Sequence, residues 1–520
     1  MFERLRAKLA RFVAPTGMVG KRTYSMAKAS RLTDGWGTTV SSEDAELLMS
    51  LRVARSRSRQ LVRDAAYAQR AKVIIQNNVI GSGMGMQAKV ETTRGQLNTR
   101  INDEIEAAWE SWVCPEYCHT GGALHFADME RMIIGQVFEA GEMFVRQYHQ
   151  AFGGGVLPFA LELVEAERLA DDFFPGAAPN GARVRLGVEV DQYHRAQAYY
   201  MLTLHPGEIR LTAQETAKVE RIAAELVNHL RIIDRWPQTR AMPWMHAAAR
   251  KLNDMDGLTE AEITAARGAA CYMGFIESPD GEDSFGATET NGEVQAEIEP
   301  AVIQKLKAGE KFNFAAPNRP NSQLDPFMRM MLREVAAGVG CSYESLSRDY
   351  SQSNYSSSRL ALLDDRDLWR MLQQWYMRSY RLPIHKVWLR QAVLSHQIPS
   401  ISIDSYASNP AKFERVCFKP RGWNWIDPTK EVEAYKEAVR CGFTTVTSVI
   451  TQTGNGTDLE DVLTERRQEL DAMAAKQLVF ETDPTQELPP VTKIKAEAQA
   501  EAQAEAQAEA DQQAIKSLLA

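Results

Sequence analysis

The middle of the chain constrains the fold most, because long helical stretches there enclose a segment of a different kind. Residues 243–276 predict one long helix or two stacked helices, and Thr259 and Glu262 have the spacing of a capping box. About 30 helical residues span roughly 45 Å. A narrow stripe of small and apolar side chains follows this stretch: Ile263, Ala266, Ala270 and Met273. Residues 274–323 are instead rich in Gly, Pro, Asn and Ser, with weak strand character near Lys311–Ala315.

Three more segments complete this succession. Helical periodicity returns from Asp325 to Gly340, and the short polar segment 342–358 follows it. A strongly helical run then extends from Arg359 to about Ser395, with a kink expected at Pro383. The sequence therefore predicts a helix, a compact excursion, a returning helix, a loop and a long helix.

The flanking regions predict mixed α and β structure. A helical pattern begins at Glu43, and further helical patterns occur at 428–440 and 458–476. From about Glu481 the chain is low in complexity and rich in Ala, Glu and Gln. Short apolar runs between about 73 and 240 predict strands: Val73–Ile75, Met143–Val145, Leu157–Val164 and Val184–Val190. We therefore expect an α+β protein that is predominantly helical.

Charge is unevenly distributed along the chain. The formal net charge is −8, yet residues 1–72 hold 15 Lys and Arg against 6 Asp and Glu. Residues 277–300 hold 8 acidic side chains and no basic one. A chain with a basic end and an acidic middle presents different surfaces to different partners. The six cysteines show no disulfide framework, and no apolar stretch is long enough for a membrane span or a signal peptide, so we expect a soluble protein made without export.

Signatures of catalysis and of nucleotide binding are missing. Gly17–Thr23 lacks the spacer of a phosphate-binding loop, and Arg22 stands where a magnesium-binding hydroxyl is needed. Gly81–Gly85 has the wrong spacing for a dinucleotide loop and predicts a turn. Neither GxSxG nor HExxH occurs. We therefore predict no catalytic residues, no cofactor and no enzymatic activity.

Two clusters leave alternatives open. A zinc site could use Cys114, Cys118, His119 and His125, but no second cysteine pair accompanies them, so we expect core cysteines and no metal. Aromatic side chains at helical spacing, interleaved with arginines, could stack single-stranded bases, but a core or a subunit interface is more common. The members of this aromatic stripe are Trp369, Leu372, Tyr376 and Tyr380. The Arg-rich pattern after Glu43 could contact DNA, although a solvated or subunit-facing surface is the more usual role.

An ordered series of motifs between about residues 50 and 470 resembles the lambda-type tailed-bacteriophage portal proteins. Its most specific block is Ala336–Gly340, Tyr343–Glu344, Leu346, Asp349, Asn354–Ser357 and Arg359. The other markers, in order, are Ala54–Arg63, Asn77–Gly83, Trp109, Trp112, Gly141–Glu142, Leu157–Pro158, Leu163–Leu169, Gly187–Asp191, Pro243–Trp244, Ala261–Glu262, Trp425–Glu431 and Gly456–Asp458. No single marker is specific, but the ordered set is.

The resemblance implies a portal-type fold with a wing, a stem, a clip and a crown, assembled as a ring. In that fold the expected parts are a loosely ordered basic N-terminus at 1–50, the wing at 51–242, the first stem helix at 243–275, the clip at 276–324, the second stem helix at 325–341, a channel loop at 342–358, a long kinked helix at 359–395, a wing return at 396–427, crown helices at 428–480 and a tail at 481–520.

The resemblance also implies a structural function. Such a protein assembles in the host cytoplasm and forms a ring, which in this family is a dodecamer, at one capsid vertex of the virion. Double-stranded DNA passes through the ring during packaging and ejection. Expected partners are the large subunit of the terminase, head-completion and head-tail connector proteins, and the major capsid or scaffold protein, with no membrane. For transient DNA contact we predict Arg348, Asn354, Tyr355 and Ser356 of the channel loop; an equal alternative is that these residues order the loop and pack neighbouring subunits.

Two rival functions belong to other classes. A DNA-packaging nuclease or other DNA-processing enzyme would cleave DNA in a metal-dependent way, and the acidic run at 277–300 is its nearest candidate site. A monomeric nucleic-acid-binding factor would bind DNA strongly and with high salt sensitivity. Neither rival accounts for the ordered motif set.

Overall fold

A computed structural model describes residues 31, 37, 40–92, 96–173, 182–208, 217–271, 274–277, 288–290, 293–295, 311–314, 323–423, 428–453, 459–476 and 478. These residues form two compact units. The first contains the described residues up to Ser56, those within 167–224 and those within 231–242, and the second contains the others. Among the described helices, none has both the length and the apolar character needed to cross a bilayer.

Helices dominate the described residues, and short strands lie between them. The helices are α1 (Glu43–Asp64), α2 (Ala66–Val79), α3 (Thr99–Trp112), α4 (Pro115–Cys118), α5 (Phe126–Ala140), α6 (His246–Cys271), α7 (Leu324–Val339), α8 (Tyr343–Ser347), α9 (Tyr355–Tyr376), α10 (Leu382–Leu394), α11 (Ile403–Ser408), α12 (Pro410–Phe413), α13 (Pro428–Arg440), α14 (Val446–Thr453) and α15 (Leu459–Ala475). The strands are β1 (Gly85–Ala88), β2 (Glu142–Tyr148), β3 (Ala160–Val164), β4 (Arg183–Arg185), β5 (Val188–Val190), β6 (Ala196–Leu202), β7 (Val219–Ala223), β8 (Val227–Arg231), β9 (Gly274–Glu277), β10 (Thr288–Thr290), β11 (Glu293–Gln295), β12 (Lys311–Phe314) and β13 (Val416–Lys419). The described structure is thus α+β and mostly helical, as predicted.

The first unit is built on an antiparallel sheet in the order β4-β5-β6-β7. Its small core joins Leu47 and Leu51 of α1 to Leu186 of the turn between β4 and β5. Three acidic residues stand in the first turn of α1, where the helix dipole favours negative charge. One of them, Asp44, accepts hydrogen bonds at 2.7 Å from both the backbone N–H and the hydroxyl of Thr239. This carboxylate therefore ties the start of α1 to the segment that follows β8.

The second unit has a core of aromatic side chains contributed by α3, α5, α9 and α10. Trp388 and Trp109 meet edge to face with their ring centroids 4.9 Å apart, and the indole N–H of Trp112 donates to the carbonyl of Phe159 at 2.8 Å. Both tryptophans of the first pair are buried. Truncating such a side chain to alanine typically costs about 3–5 kcal/mol, so this cluster is a main source of stability. The three-stranded sheet β3-β2-β8 lies in the same unit.

Two long helices, α6 and α7, pack together. The Cβ of Ala248 lies 3.3 Å from the position that a Cβ would take at Gly338, so a side chain at Gly338 would crowd the helices. The indole N–H of Trp244 donates to the carbonyl of Val339 at 2.8 Å and links the entry to α6 with the end of α7. Gly340 ends α7 in the left-handed conformation, at φ 82°.

Several sequence predictions need correction. The run Val73–Ile75 is not a strand but part of α2, because three apolar residues cannot distinguish a buried helix face from a strand. Thr259 caps no helix; α6 runs continuously through it, and its hydroxyl donates to the carbonyl of Met255. The long helix begins at Tyr355 rather than Arg359. A kink was expected at Pro383. The helix instead has a π turn over Met377–Arg381, which ends two residues before Pro383, a residue that cannot donate a backbone hydrogen bond.

Candidate nucleic-acid interface

The segment 342–358 contains a short helix and the start of a long one, where the sequence predicted a loop. Ser342 is the N-cap of α8, and its hydroxyl accepts the backbone N–H of Ser345 at 3.3 Å. Asn354 is the N-cap of α9 and forms a reciprocal capping box with Ser357. Residues that cap helices also favour turns, which is why the sequence pattern was ambiguous here.

A buried carboxylate holds α8 against α9. Asp365 of α9 is 3% exposed, and it accepts the backbone N–H and the hydroxyl of Ser342, each at 2.7 Å. The hydroxyl of Ser345 donates to the same carboxylate at 2.7 Å. Three hydrogen bonds compensate the burial of this charge and fix the position of α8.

Arg348 ends α8 and is exposed. It has φ 58°, and its backbone N–H donates to the carbonyl of Glu344 at 2.9 Å. The left-handed conformation costs a non-glycine residue roughly 1–2 kcal/mol. The guanidinium of Arg70 donates to the carbonyl of Ser345 at 3.2 Å, and its pKa is lowered by burial and by the charge of Arg348. Two cations therefore lie at the C-terminal end of α8, where the helix dipole favours positive charge.

The polypeptide after Arg348 is held by Asp349. Hydrogen bonds from Ser351, followed by the hydroxyl of Tyr343 at 2.9 Å, lower the pKa of Asp349 to about 2. The carboxylate also lies 3.7 Å from the guanidinium of Arg329 on α7. Asp349 therefore organises the turn between α8 and α9.

The four residues predicted to contact DNA fall into two groups. Arg348 and Tyr355 are exposed, Tyr355 at 58% of its surface, and so is Ser356 in the first turn of α9. The side-chain oxygen of Asn354 instead accepts the backbone N–H of Ser357 at 2.8 Å, which is an ordering role. Tyr355 also lines a groove of about 150 Å³, together with Ser342, Glu344, Ser345, Tyr350, Ser358, Arg359, Ala361 and Leu362.

The segment 342–358 has little net charge. Residues 342–358 contain one arginine against Glu344 and Asp349, a formal charge of −1. Affinity for DNA increases with each phosphate that a protein neutralises. The segment therefore offers one cation for neutralising phosphate groups.

The cysteine and histidine cluster makes local main-chain contacts. The thiol of Cys118 is fully buried, donates to the carbonyl of Val113 at 3.2 Å, and has its pKa raised to about 12 by burial. The imidazole Nδ1 of His125 accepts the backbone N–H of Ala127 and caps α5, and that of His119 accepts the N–H of Ala123. These contacts give the residues structural roles.

The predicted packing role of the aromatic stripe is confirmed. Trp369, Leu372, Tyr376 and Tyr380 are at most 3% exposed. The guanidinium carbons of Arg366 and Arg370 lie 5.7 and 5.5 Å from the ring centroid of Trp423. These cation–π contacts attach both arginines to the side chain of Trp423.

The arginines of α1 are also engaged. Arg52 donates to both carboxylate oxygens of Asp171, and Arg63 donates to Asp64 at 3.0 Å. Arg59 lies 3.3 Å from Glu139 and 3.6 Å from Glu165. Each of these arginines thus has an acidic partner within the fold, although the side chains of Arg52 and Arg63 are still 64% and 72% exposed.

Sequence reasoning missed one residue that builds the segment. Asp365 holds α8 through three hydrogen bonds, yet it was not among the residues singled out from the sequence. The available signal for Asp365 was an acidic residue on the buried side of an amphipathic helix, four residues before Trp369. Its partners, Ser342 and Ser345, are 23 and 20 residues away along the chain.

Comparison with known sequences identifies the family. The family described as "Phage portal protein, lambda family" matches residues 29–373, about two thirds of the chain. The chain belongs to this family of structural proteins, and it is a portal protein of the virion rather than an enzyme.

Three relatives of the chain are also described as portal proteins, and each aligns with it over most of its length. A "Probable portal protein" of Halomonas phage phiHAP-1 is 28% identical over 455 residues, which cover 84% of this chain and 84% of the relative. The "Portal protein B" of Escherichia phage lambda is 22% identical over 495 residues, 88% of this chain and 91% of the relative. The "Portal protein" of Escherichia phage N15 is 21% identical over 507 residues, which cover 90% of this chain and 94% of the relative.

Solved structures give a looser similarity. A chain from the "Neck of empty GTA particle computed with C6 symmetry" aligns with a TM-score of 0.42 and 12% identity, covering 78% of this chain and 94% of that one. A chain from the "Virion of native gene transfer agent (GTA) particle" aligns with a TM-score of 0.40 and 12% identity, covering 78% of this chain and 95% of that one.

Proposed function

We propose that twelve copies of the chain form a closed ring at one vertex of the capsid and that double-stranded DNA passes through its centre during packaging and ejection. Membership of the lambda portal family, matched over residues 29–373, carries this proposal. In it, residues 243–275 and 325–341 are the stem, 276–324 the clip, 428–480 the crown, and 51–242 with 396–427 the wing. Most of the clip, the N-terminus and the tail lie outside the described residues.

The proposed partners follow from this position. One end of the ring docks the large subunit of the terminase, which spends the ATP, and later the head-completion and head-tail connector proteins. The wing meets the major capsid or scaffold protein during assembly in the host cytoplasm. The channel itself has no catalytic task, so no nucleotide site is needed in this chain.

Within the channel, we assign transient DNA contact to the segment 342–358. Arg348, Tyr355 and Ser356 are exposed, and we assign the contact to them. Asn354 supports the segment by capping α9. A single exposed cation per subunit repeats around a ring, so the duplex meets many weak contacts of equal strength, which allows sliding.

Ring formation is tested first, by native mass spectrometry and negative-stain imaging of the purified chain. Closed rings with a central opening are the expected result. A stable monomer at high concentration, together with metal-dependent cleavage of DNA, would replace the portal proposal with a DNA-processing enzyme.

The assignment of Arg348 is tested with two matched variants. Arg348→Asn removes the charge but suits the left-handed conformation, whereas Arg348→Lys keeps the charge. We expect intact rings from both, with reduced DNA packaging or retention in particles made with Arg348→Asn. Arg378→Asn is the control, because Arg378 is an exposed arginine in the π turn that follows α9. Normal packaging by Arg348→Asn particles would remove the DNA contact from this residue.

A further inference from the structure

Helix α9 has apolar side chains on two opposite faces. Its buried face contains Trp369, Leu372 and Tyr376. At 100° per residue, a second set lies within an arc of about 100° on the other side. This outward set is Leu360 (70% exposed), Leu363 (39%), Met371 (57%) and the exposed Asp364. A surface helix normally has polar residues on its outward face, so this face is suited to a partner.

Helix α7 has a second outward apolar face. Its buried side contains Leu332, Val335 and Val339 and packs toward α6. The opposite arc, about 120° wide, presents Phe327 (44% exposed), Met330 (55%), Ala337, Arg333 and Glu334. The carboxylate of Glu334 lies 3.3 Å from the ammonium of Lys251 on α6.

Each face has one charged side chain without an ion-pair partner among the described residues, and these two charges have opposite signs. Arg333 on α7 is exposed, and its guanidinium carbon stacks 5.4 Å from the ring centroid of Tyr343. The α9 face carries Asp364 and Asp367, and Asp367 accepts a hydrogen bond from Arg370 at 3.0 Å. Within the part of the chain that the structure describes, neither Arg333 nor Asp364 has an ion-pair partner. Each face thus combines exposed apolar side chains with one uncompensated charge, and the charges are complementary.

We infer that the α7 face of one copy packs against the α9 face of the next copy. The inference rests on the proposed ring, because a closed ring requires two different, mutually complementary patches on each subunit. Apolar side chains would be buried at the centre of the contact, and Arg333 would pair with Asp364 of the neighbouring copy at its edge. DNA does not suit the α9 face, since Asp364 and Asp367 repel phosphate.

Charge exchange tests the pairing directly. Arg333→Glu places two acidic groups at every interface, and Asp364→Lys places two cations there. We expect each variant alone to lose closed rings, with dissociation of each interface increased at least about tenfold, because like charges at an interface are costly. When the two variants are mixed, every contact between unlike copies again pairs opposite charges. Alternating rings should therefore form in the mixture, as seen by native mass spectrometry.

The mixture separates loss of the interface from loss of folding, since an unfolded chain could not restore rings. Arg100→Glu, a charge reversal at a residue with a 79% exposed side chain on α3, is the matched control and should leave rings intact. If the wild-type chain forms rings and both variants alone also form them, the α7–α9 interface is wrong while the proposed function stands. Variants that fail alone and also fail when mixed contradict the pairing. Absence of rings from the wild-type chain would count against the proposed function itself.

Discussion

The buried ion pair between Arg381 and Glu130 offers the sharpest test of the second unit's energetics. Two hydrogen bonds join the guanidinium to the carboxylate, at 2.6 and 2.9 Å, and the side chains are 3% and 0% exposed. The guanidinium also lies between the rings of Phe126 and Phe418, at 5.5 and 5.3 Å from their centroids. Burial raises the pKa of Glu130, and Arg381 opposes that rise. Arg381 therefore provides the main compensation for the burial of this carboxylate.

Replacing the cation with an apolar side chain of similar length isolates its contribution. Arg381→Met leaves Glu130 buried without its counter-charge, and breaking a buried pair in this way costs about 3–5 kcal/mol. Urea unfolding at one fixed chain concentration, followed by the fluorescence of the tryptophan cluster, measures the loss. The double variant Glu130→Leu with Arg381→Met removes both charges and should recover most of the stability.

The pH dependence of Arg381→Met provides a second readout. Without the guanidinium, the folded-state pKa of Glu130 rises further above its unfolded value, so the folded state retains a proton that the unfolded state releases. The free energy of unfolding therefore falls as pH rises from about 4.5 through the folded-state pKa, and the deficit against wild type is larger at pH 8 than at pH 5. A loss below about 1 kcal/mol, or a double variant no more stable than the single one, would refute the reasoning.

Three further outcomes are expected. Asn354→Ala should lower the free energy of unfolding by about 1 kcal/mol, and Asn354→Asp should not, because either amide or carboxylate oxygen caps α9; equal losses would contradict the cap. Burial, followed by the charges of Arg381 and Lys386, lowers the pKa of His385 to about 3, so the stability it supports is complete above pH 6.5 and is lost as pH falls toward 3. Wild type should accordingly lose on the order of 2 kcal/mol more than His385→Phe between pH 7 and pH 5, as measured by urea midpoints; parallel curves would exclude His385 as the cause. Iodoacetamide at pH 8 should label the exposed Cys441 in the folded chain but not Cys118 or Cys341, whose pKa values burial raises to about 12; peptide masses give the result, and early labelling of Cys118 would contradict its burial.

The sequence alone predicted those long helices in which apolar periodicity and terminal residues indicate the same boundaries. The helical stretches at 325–340 and 428–440 match α7 and α13 within a residue, because apolar periodicity and terminal residues mark the same boundaries. The family could also be predicted from the sequence, because the order of many weak motifs along the chain needs no tertiary structure to be seen. Short apolar runs were less informative, and Val73–Ile75 was placed in the wrong kind of element for that reason.

Tertiary structure decided what the polar residues do. Ser342, Asn354 and Thr259 all suit helix caps, but only the first two cap a helix; Thr259 lies inside α6, where its hydroxyl bonds to the carbonyl of Met255. The sequence likewise showed that Trp369 and Tyr376 lie on one helix face, and the fold determined that this face is core. The physical reason is that caps, ion pairs and burial are interactions between groups distant in sequence. Asp365 reaches Ser342 over 23 residues and Arg381 reaches Glu130 over 251, and no local pattern encodes either meeting.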